Sequence, residues 1–148
     1  MAKYRVVGIS FDHMHMGDLL RMVHDHPEAE IAGIYDPDPK QMANFAIPAD
    51  RVFTDFDACM SATQPDLAIL CAATADHADY TERLAAYNTN VFVEKPFAGS
   101  IADARRMLAA MDGTGKLMAI NWPLAWVESH LTAKRLIDEG VIGDLIEV

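Results

Sequence analysis

The residue whose type and position most directly suggest chemistry is Lys95, in the tripeptide Glu94-Lys95-Pro96. It follows the apolar run Asn90–Val93, which favours a β-strand. If that run is a strand of a parallel sheet, Lys95 lies at its carboxyl end, where such sheets bind ligands. A lysine there can donate a proton or a hydrogen bond to a substrate hydroxyl. The alternative is a structural Lys–Glu pair before a proline turn.

A second group with chemical potential is formed by Asp12, His13 and His15. A His-x-His pair with a nearby carboxylate can bind Zn²⁺ or another divalent ion, so a metal-dependent enzyme is one hypothesis. The first strand-to-helix turn faces the ligand crevice, which favours a lining role without metal. His24 and His26 are predicted at the other end of a ten-residue helix, about 15 Å away, and belong to no common site.

The turn after the first apolar run, residues 10–15, is where a dinucleotide-binding sheet carries G-x-G-x-x-G. None of the three glycine positions holds glycine here. Ser10 can still make the tight turn, but Asp12 falls where the backbone approaches a pyrophosphate. At ~4 Å one such charge pair costs about 1 kcal/mol in water and about 4 kcal/mol near a protein surface. We expect Ser10, Phe11, Asp12 and His13 to line the site, and the missing glycines weaken the expectation of ordinary NAD binding.

A carboxylate at the end of the second apolar run, in contrast, favours NAD binding. Glu30–Tyr35 is followed by Asp36, about 20 residues or somewhat more after the turn. A carboxylate there can accept both ribose hydroxyls of NAD and would repel the 2′-phosphate of NADP. Asp38 and the absence of a following arginine also favour NAD. The alternative is that residues 36–39 form a turn that caps the next helix.

The elements that must position these residues alternate between strand and helix. Apolar runs predict strands at Tyr4–Ser10, Glu30–Tyr35, Arg51–Phe53, Leu67–Cys71, Asn90–Val93 and Leu117–Ile120. Helical spacing is found at Gly17–His24, Lys40–Phe45, Phe56–Ala62, Asp79–Tyr87 and Ile101–Met111. Such alternation predicts an α/β fold with a doubly wound, Rossmann-like parallel sheet in the order 3-2-1-4-5-6.

The last part of the chain has a different pattern. Glu128–Asp138 is amphipathic, and Gly140 stands where a glycine ends a helix. Leu145–Val148 is predicted to be a strand, and the sequence ends within it. We therefore expect a dinucleotide-binding domain over residues 1–121. Residues 122–148 are expected to be a linking helix and the first strand of a truncated or absent second domain.

Composition excludes several classes of partner. The 148 residues carry a formal charge of -10, which argues against nucleic acid and anionic membranes as partners. No apolar run approaches the ~20 residues of a membrane span. The two cysteines, Cys59 and Cys71, are expected to be reduced thiols of a cytoplasmic protein. The first residues run directly into a predicted strand and do not resemble a signal peptide.

The sequence resembles the N-terminal domain of the glucose–fructose oxidoreductase, inositol 2-dehydrogenase and rhizopine-catabolism (Gfo/Idh/MocA) oxidoreductases. The resemblance covers nearly the whole chain. It rests on Val6–Ile9, His26–Glu30, Tyr35–Asp38, Val52–Asp55, Pro65–Ile69, Ala73-Thr74 with His77, Phe92–Ala98, Leu136–Gly140 and Ile142–Asp144.

The resemblance implies NAD(P)-dependent chemistry on a sugar, cyclitol or related hydroxy compound. It implies that Lys95 is catalytic and that Asp36 contacts the adenosine ribose. It also implies that Thr74, His77 and Glu94 lie by the nicotinamide half. A second domain would carry substrate and further catalytic residues, so the 148-residue chain alone is expected to be inactive.

The glycine-free turn keeps a second function open. A family member without redox chemistry would act as a small-ligand sensor or a regulatory subunit. The sequence leaves open whether the protein forms a homo-oligomer.

Overall fold

The computed structural model describes residues 3–147, which fold around a six-stranded parallel sheet. The strands are β1 (Tyr4–Ile9), β2 (Ala29–Tyr35), β3 (Val52–Phe53), β4 (Leu67–Leu70), β5 (Asn90–Glu94) and β6 (Met118–Asn121). Their order in the sheet is β3-β2-β1-β4-β5-β6. The predicted fold class and strand order are therefore confirmed.

Six helices connect or follow the strands. They are α1 (His15–Asp25), α2 (Pro39–Met42), α3 (Phe56–Thr63), α4 (His77–Ala86), α5 (Ile101–Met111) and α6 (Glu128–Asp138). Side-chain caps explain several of their starts: the carboxylates of Asp38 and Asp55 and the hydroxyl of Ser100 each accept a backbone N–H of the following turn. None of the helices in residues 3–147 is long and apolar enough to cross a bilayer.

Both faces of the sheet are covered, which explains why its central strands are apolar on both sides. Successive residues of β1 point to opposite faces: Val7 packs with Leu84 and Met107 from α4 and α5, whereas Val6 packs with Met16 of α1. All five side chains are nearly inaccessible to solvent. Complete burial of each such side chain contributes roughly 1.5–3 kcal/mol, so these two layers fix the sheet that carries the site.

Gly33 lies where α3 packs against the sheet. A methyl group at this position of β2 would lie 2.7 Å from Cγ2 of Thr63 and 3.0 Å from Cε2 of Phe53. Real Cβ atoms do not come this close to a neighbour. The glycine therefore lets α3 pack directly against β2.

The last segment packs loosely on the rest of the chain. Gly140 lies just past the end of α6, as predicted, with a φ of +70°. Its N–H donates to the carbonyl of Ile137 and the N–H of Val141 donates to that of Leu136, which forms a Schellman motif. The predicted strand at 145–148 is not found: residues 145–147 have no regular structure, and Val148 lies outside the described residues. A strand needs a hydrogen-bonded neighbour, and residues 3–147 offer none to this segment.

Candidate functional site

The site lies at the carboxyl ends of β1, β4 and β5. The strand order reverses between β1 and β4, so the chain connections leave in opposite directions and open a crevice there. Three loops face it: the loop from Ser10 to Met14 after β1, the loop that follows β4, and the residues that follow Glu94 at the end of β5. These loops contain most of the residues singled out in the sequence.

Ser10 makes the tight turn after β1 without a glycine. Its φ of +59° is in the left-handed region, which costs a residue other than glycine about 1–2 kcal/mol. The backbone N–H donates to the carbonyl of Tyr35 at 2.8 Å, and the hydroxyl donates to Oδ2 of Asp12 at 2.9 Å. These bonds hold the tight turn in place.

Phe11 contributes its backbone rather than its ring to the crevice. The ring is buried and packs edge-on against Phe45, with 4.7 Å between the ring centroids. Its backbone N–H donates to Oδ2 of Asp36 at 2.8 Å. The loop after β1 is thereby attached to the end of β2.

Asp36 is buried, with 3% of its surface exposed, and both carboxylate oxygens accept backbone N–H groups. Oδ2 accepts from Phe11, and Oδ1 accepts from Asp38 at 2.8 Å. The helix-capping role considered for residues 36–39 belongs to Asp38, whose Oδ1 accepts the N–H of Lys40 at 3.0 Å. Asp36 instead joins the loop after β1, through Phe11, to the residues that follow β2, through Asp38.

Asp12 extends across the crevice from the loop after β1 to the loop after β4. Its Oδ2 accepts both the Ser10 hydroxyl and, at 3.0 Å, the backbone N–H of Ala73. The side chain is exposed. Its carboxylate lies in the gap between the two loops, where the strand order reverses.

Lys95 and Glu94 lie at the carboxyl end of β5. They form a cluster with His13 of the loop after β1 and His15 at the start of α1. Nζ of Lys95 is 3.3 Å from Nε2 of His13 and 3.9 Å from Oε1 of Glu94. The same oxygen is 3.1 Å from Nδ1 of His15 and 3.9 Å from Nδ1 of His13. The other carboxylate oxygen accepts from Nδ2 of Asn121 at 2.7 Å. Glu94 is 1% exposed, so these partners replace the water that a carboxylate otherwise needs.

Asn121 and His15 are the members of this cluster that the sequence analysis did not assign to the cofactor site. Asn121 stands at the carboxyl end of the last strand, β6, and this position is the one signal that could have identified it. His15 was considered as a metal ligand and as a residue that lines the crevice, without a partner of its own. Nothing in the local sequence indicates that it contacts Glu94, which is 79 residues away.

Thr74 and His77 lie in and after the loop that follows β4. Thr74 is half-buried at the start of a 3-10 turn. His77 is buried, and its two ring nitrogens lie 3.1 Å from the carbonyl oxygen of Phe97 and 3.0 Å from that of Ala72. The ring therefore connects the loop after β4 to the loop after β5.

The metal-ligand hypothesis needs a different carboxylate from the one predicted. One ring nitrogen each of His13 and His15 and one oxygen of Glu94 all lie within 4.8 Å of one another, the only such group found in residues 3–147. Asp12 is absent from the group because its carboxylate is bonded to Ser10 and Ala73.

The remaining candidates lie outside the site. His24 is in the last turn of α1, and the backbone N–H of His26 caps that end of the helix. Cys59 and Cys71 are fully buried free thiols. The pKa of each thiol is raised to about 12, mainly by burial and, for Cys71, also by the carboxylate of Glu94. Neither cysteine is therefore a nucleophile near neutral pH.

The fold and this arrangement agree with the comparison with protein families. Residues 2–122 match the oxidoreductase family with the NAD-binding Rossmann fold, Gfo/Idh/MocA. The chain belongs to this family and is an NAD-binding Rossmann domain, so the predicted resemblance and the predicted cofactor are confirmed.

Individual relatives are longer proteins. An uncharacterized oxidoreductase of Streptococcus pneumoniae serotype 4 is 30% identical over 146 residues, which are 99% of this chain and 39% of the relative. D-apiose dehydrogenase of Paraburkholderia graminis is 29% identical over 117 residues, 78% of this chain and 31% of that protein. Inositol 2-dehydrogenase of Salmonella paratyphi B is 32% identical over 107 residues, 70% of this chain and 31% of the enzyme.

A solved structure shows the same fold. The WlbA dehydrogenase from Bordetella pertussis, in complex with NADH and UDP-GlcNAcA, has a TM-score of 0.87 and 22% identity. The match covers 96% of this chain and 41% of that one. The chain thus spans about two fifths or less of the length of the proteins that it matches here.

Proposed function

We propose that the protein containing this chain is an NAD-dependent dehydrogenase that acts on a hydroxyl group of a sugar, a cyclitol or a related compound. The observation that carries the proposal is the position of Lys95, whose amine reaches into the crevice of an NAD-binding domain beside Glu94 and His13. Two of the relatives are named as dehydrogenases of D-apiose and of inositol, both of which are polyhydroxy compounds.

Bound NAD would supply the hydride acceptor. The residues of this chain fit it in two respects: Ser10 makes the required turn, and a buried carboxylate, Asp36, stands at the end of β2. We assign Asp36 to the adenosine ribose, which favours NAD over NADP because a 2′-phosphate would meet this negative charge. Thr74, His77 and Glu94 are assigned to the nicotinamide half.

Lys95 is assigned the proton transfer. When the substrate carbon is oxidised, the bond between its hydroxyl oxygen and proton would break, and Nζ of Lys95 would take the proton. In the reverse direction Lys95 returns it. Glu94 and His13 hold the amine in position from one side, which leaves its other side free to meet a substrate oxygen.

A second domain is proposed to complete the site. An open, mainly apolar groove of about 540 Å³ runs beside His15 and is lined by Leu19, Met22, Phe92 and Trp126. Helix α6 and the residues around it also expose large apolar side chains. We propose that residues 122–148 lead into this domain, which covers the groove, and that the protein works in the cytoplasm, where Cys59 and Cys71 stay reduced.

The test is turnover of the full-length protein with NAD and a panel of sugars and cyclitols. Lys95→Met should lower kcat by about 10²–10⁴-fold, the usual contribution of a general acid–base. Lys95→Arg should fail too, because guanidinium does not release its proton in the useful pH range. Lys116→Met is the matched control, because Lys116 precedes β6 and therefore lies at the amino ends of the strands, away from the crevice. Folding of each variant is checked by circular dichroism.

Retained kcat in a folded Lys95→Met variant would refute the role of Lys95. NAD binding without turnover of any panel member would favour the alternative, a small-ligand sensor that has lost redox chemistry. Equal affinities of the wild type for NAD and NADP would refute the assignment of Asp36.

A further inference from the structure

The cluster of His13, His15 and Glu94 has a composition that NAD binding does not require. Two imidazoles and one carboxylate are a ligand set that proteins use for zinc and other divalent transition metals. The three side chains come from the loop after β1, the start of α1 and the end of β5. We propose that they bind one divalent transition metal ion of the zinc class, at the edge of the crevice next to Lys95.

The distances suit such an ion. Zinc binds histidine nitrogen and carboxylate oxygen at about 2.0–2.2 Å, so tetrahedral ligand atoms lie about 3.3 Å apart. Nδ1 of His15 and Nδ1 of His13 lie 3.1 Å and 3.9 Å from Oε1 of Glu94. All three donors lie within 4.8 Å of one another. Side-chain rotations would bring them to one ion, and Nδ1 of His13 would then exchange the hydrogen bond that it accepts from the backbone N–H of His15 at 3.3 Å for the metal.

The surroundings hold the carboxylate in place. Oε2 of Glu94 accepts a hydrogen bond from Asn121 at 2.7 Å, which leaves Oε1 turned toward the histidines. Hydrogen bonds of this kind, from a neighbouring side chain to a metal ligand, commonly account for 10–100-fold in metal affinity. The site is also reachable: the side chains of His13 and His15 are 29% and 28% exposed, whereas Glu94 is 1% exposed.

Lys95 sets the strength of the site. Its amine is 3.9 Å from Oε1 of Glu94 and 3.3 Å from Nε2 of His13, so a positive charge stands beside the proposed ion. Like charges at such distances repel, and a site with this neighbour binds less tightly than the same ligands alone. A metal site therefore has a property that a simple salt-bridge cluster lacks: removal of Lys95 should strengthen it.

The experiment is titration of the EDTA-treated, dialysed full-length protein with Zn²⁺, followed by calorimetry and by metal analysis after gel filtration. We expect one zinc ion per chain and no comparable binding of Mg²⁺, which prefers oxygen ligands. Co²⁺ should give the visible absorption of a low-coordinate site with nitrogen ligands. His15→Ala and Glu94→Gln should each lower zinc affinity by more than tenfold, and Asn121→Ala by about 10–100-fold.

The controls separate this site from other histidines and from general loss of structure. His24→Ala and His26→Ala remove the same side-chain type from the far end of α1 and should bind zinc as the wild type does. Lys95→Met should bind it about tenfold more tightly, a direction that damage to the fold cannot produce. Glu94→Gln preserves size and serves as the second variant if His15→Ala does not fold.

Three results would overturn the proposal. The first is the absence of stoichiometric zinc in the wild type. The second is wild-type affinity in His15→Ala and Glu94→Gln, and the third is loss of binding in the His24→Ala or His26→Ala control. The proposal does not depend on the dehydrogenase activity, because every readout measures metal binding directly.

Discussion

Replacement of Asp12 by asparagine removes one negative charge from the crevice and leaves an oxygen that can still accept the Ala73 N–H. The carboxylate lies between the loops after β1 and β4, where the diphosphate of a dinucleotide passes in this fold. We therefore expect Asp12→Asn to bind NAD more tightly than the wild type. The reason is relief of the repulsion between one carboxylate and one phosphate.

The magnitude follows from the exposure of Asp12. At ~4 Å a pair of like charges costs about 1 kcal/mol in water and about 4 kcal/mol near a protein surface. Because Asp12 is exposed, the value should lie near the lower limit, at about 1–2 kcal/mol, which corresponds to a five- to thirtyfold tighter Kd. Added salt should reduce the gain, because the screening length falls from about 10 Å at 0.1 M to about 3 Å at 1 M.

The assay is a titration of NADH into the protein, followed by nicotinamide fluorescence at low and at high ionic strength. Asp25→Asn is the matched control, because it makes the same change in net charge at the far end of α1. Asp12→Gly makes the same charge change but also removes the acceptor for the Ser10 hydroxyl and the Ala73 N–H. The difference between the two Asp12 variants therefore measures the combined effect of losing the side-chain acceptor.

An Asp12→Asn variant that binds NADH no better than the wild type would refute the reasoning. So would an equal gain in the Asp25→Asn control, because the effect would then come from net charge alone. A gain that persists at 1 M salt would show that charge repulsion is not its cause.

Three further predictions concern stability. Asp36→Asn should lower Tm in thermal unfolding by about 4–8 °C. The single oxygen of the asparagine side chain cannot accept both backbone N–H groups, so the free energy of unfolding falls by about 2 kcal/mol. An unchanged Tm would contradict this prediction. Arg106→Met should lower Tm at pH 7. The hydrogen bonds from Arg106 hold the pKa of Glu82 below its usual 4.5, so their contribution is complete above pH 4.5 and is lost as pH falls through that lowered pKa. The Tm difference between variant and wild type should therefore shrink in acid, and a constant difference would count against the ion pairs. Gly33→Ala should destabilise by about 1–3 kcal/mol through steric overlap. Gly17→Ala, in a helix where the added methyl group would make only an ordinary contact with Cε1 of Phe45 at 3.7 Å, should stabilise by up to about 1 kcal/mol. Denaturant unfolding of the pair would show it, and effects of the same sign would refute the packing argument.

Much of the fold could be predicted because its signals are local. Strand and helix periodicity identified all six strands, and the handedness of their connections gave the order of the sheet. Helix ends were less predictable: α1 begins at His15 and α4 at His77, each two residues before the predicted start. The first turn of each carries polar residues, which apolar spacing does not detect. The expected strand at the end of the chain stays a prediction, because strand pairing depends on a neighbouring strand and residues 3–147 offer none to this segment.

The site was predicted only in part. Position at a strand end placed Ser10, Asp36 and Lys95 at the crevice, because the carboxyl ends of parallel strands share one edge of the sheet. It did not show that Phe11 turns its ring into the core, or that both nitrogens of His77 face backbone carbonyls. These details depend on the path of each loop.

The sequence by itself determined the doubly wound sheet and which residues stand at its carboxyl edge, because these follow from patterns within each element. The tertiary structure alone decided which of those residues meet. It placed Glu94 rather than Asp12 beside the two histidines, and Glu94 is 79 residues from His15 in the sequence. It also brought Asp12 into contact with Ala73, which is 61 residues away. Such contacts depend on the left-handed turn at Ser10 and on the packing that fixes the loops relative to one another, neither of which short-range spacing encodes.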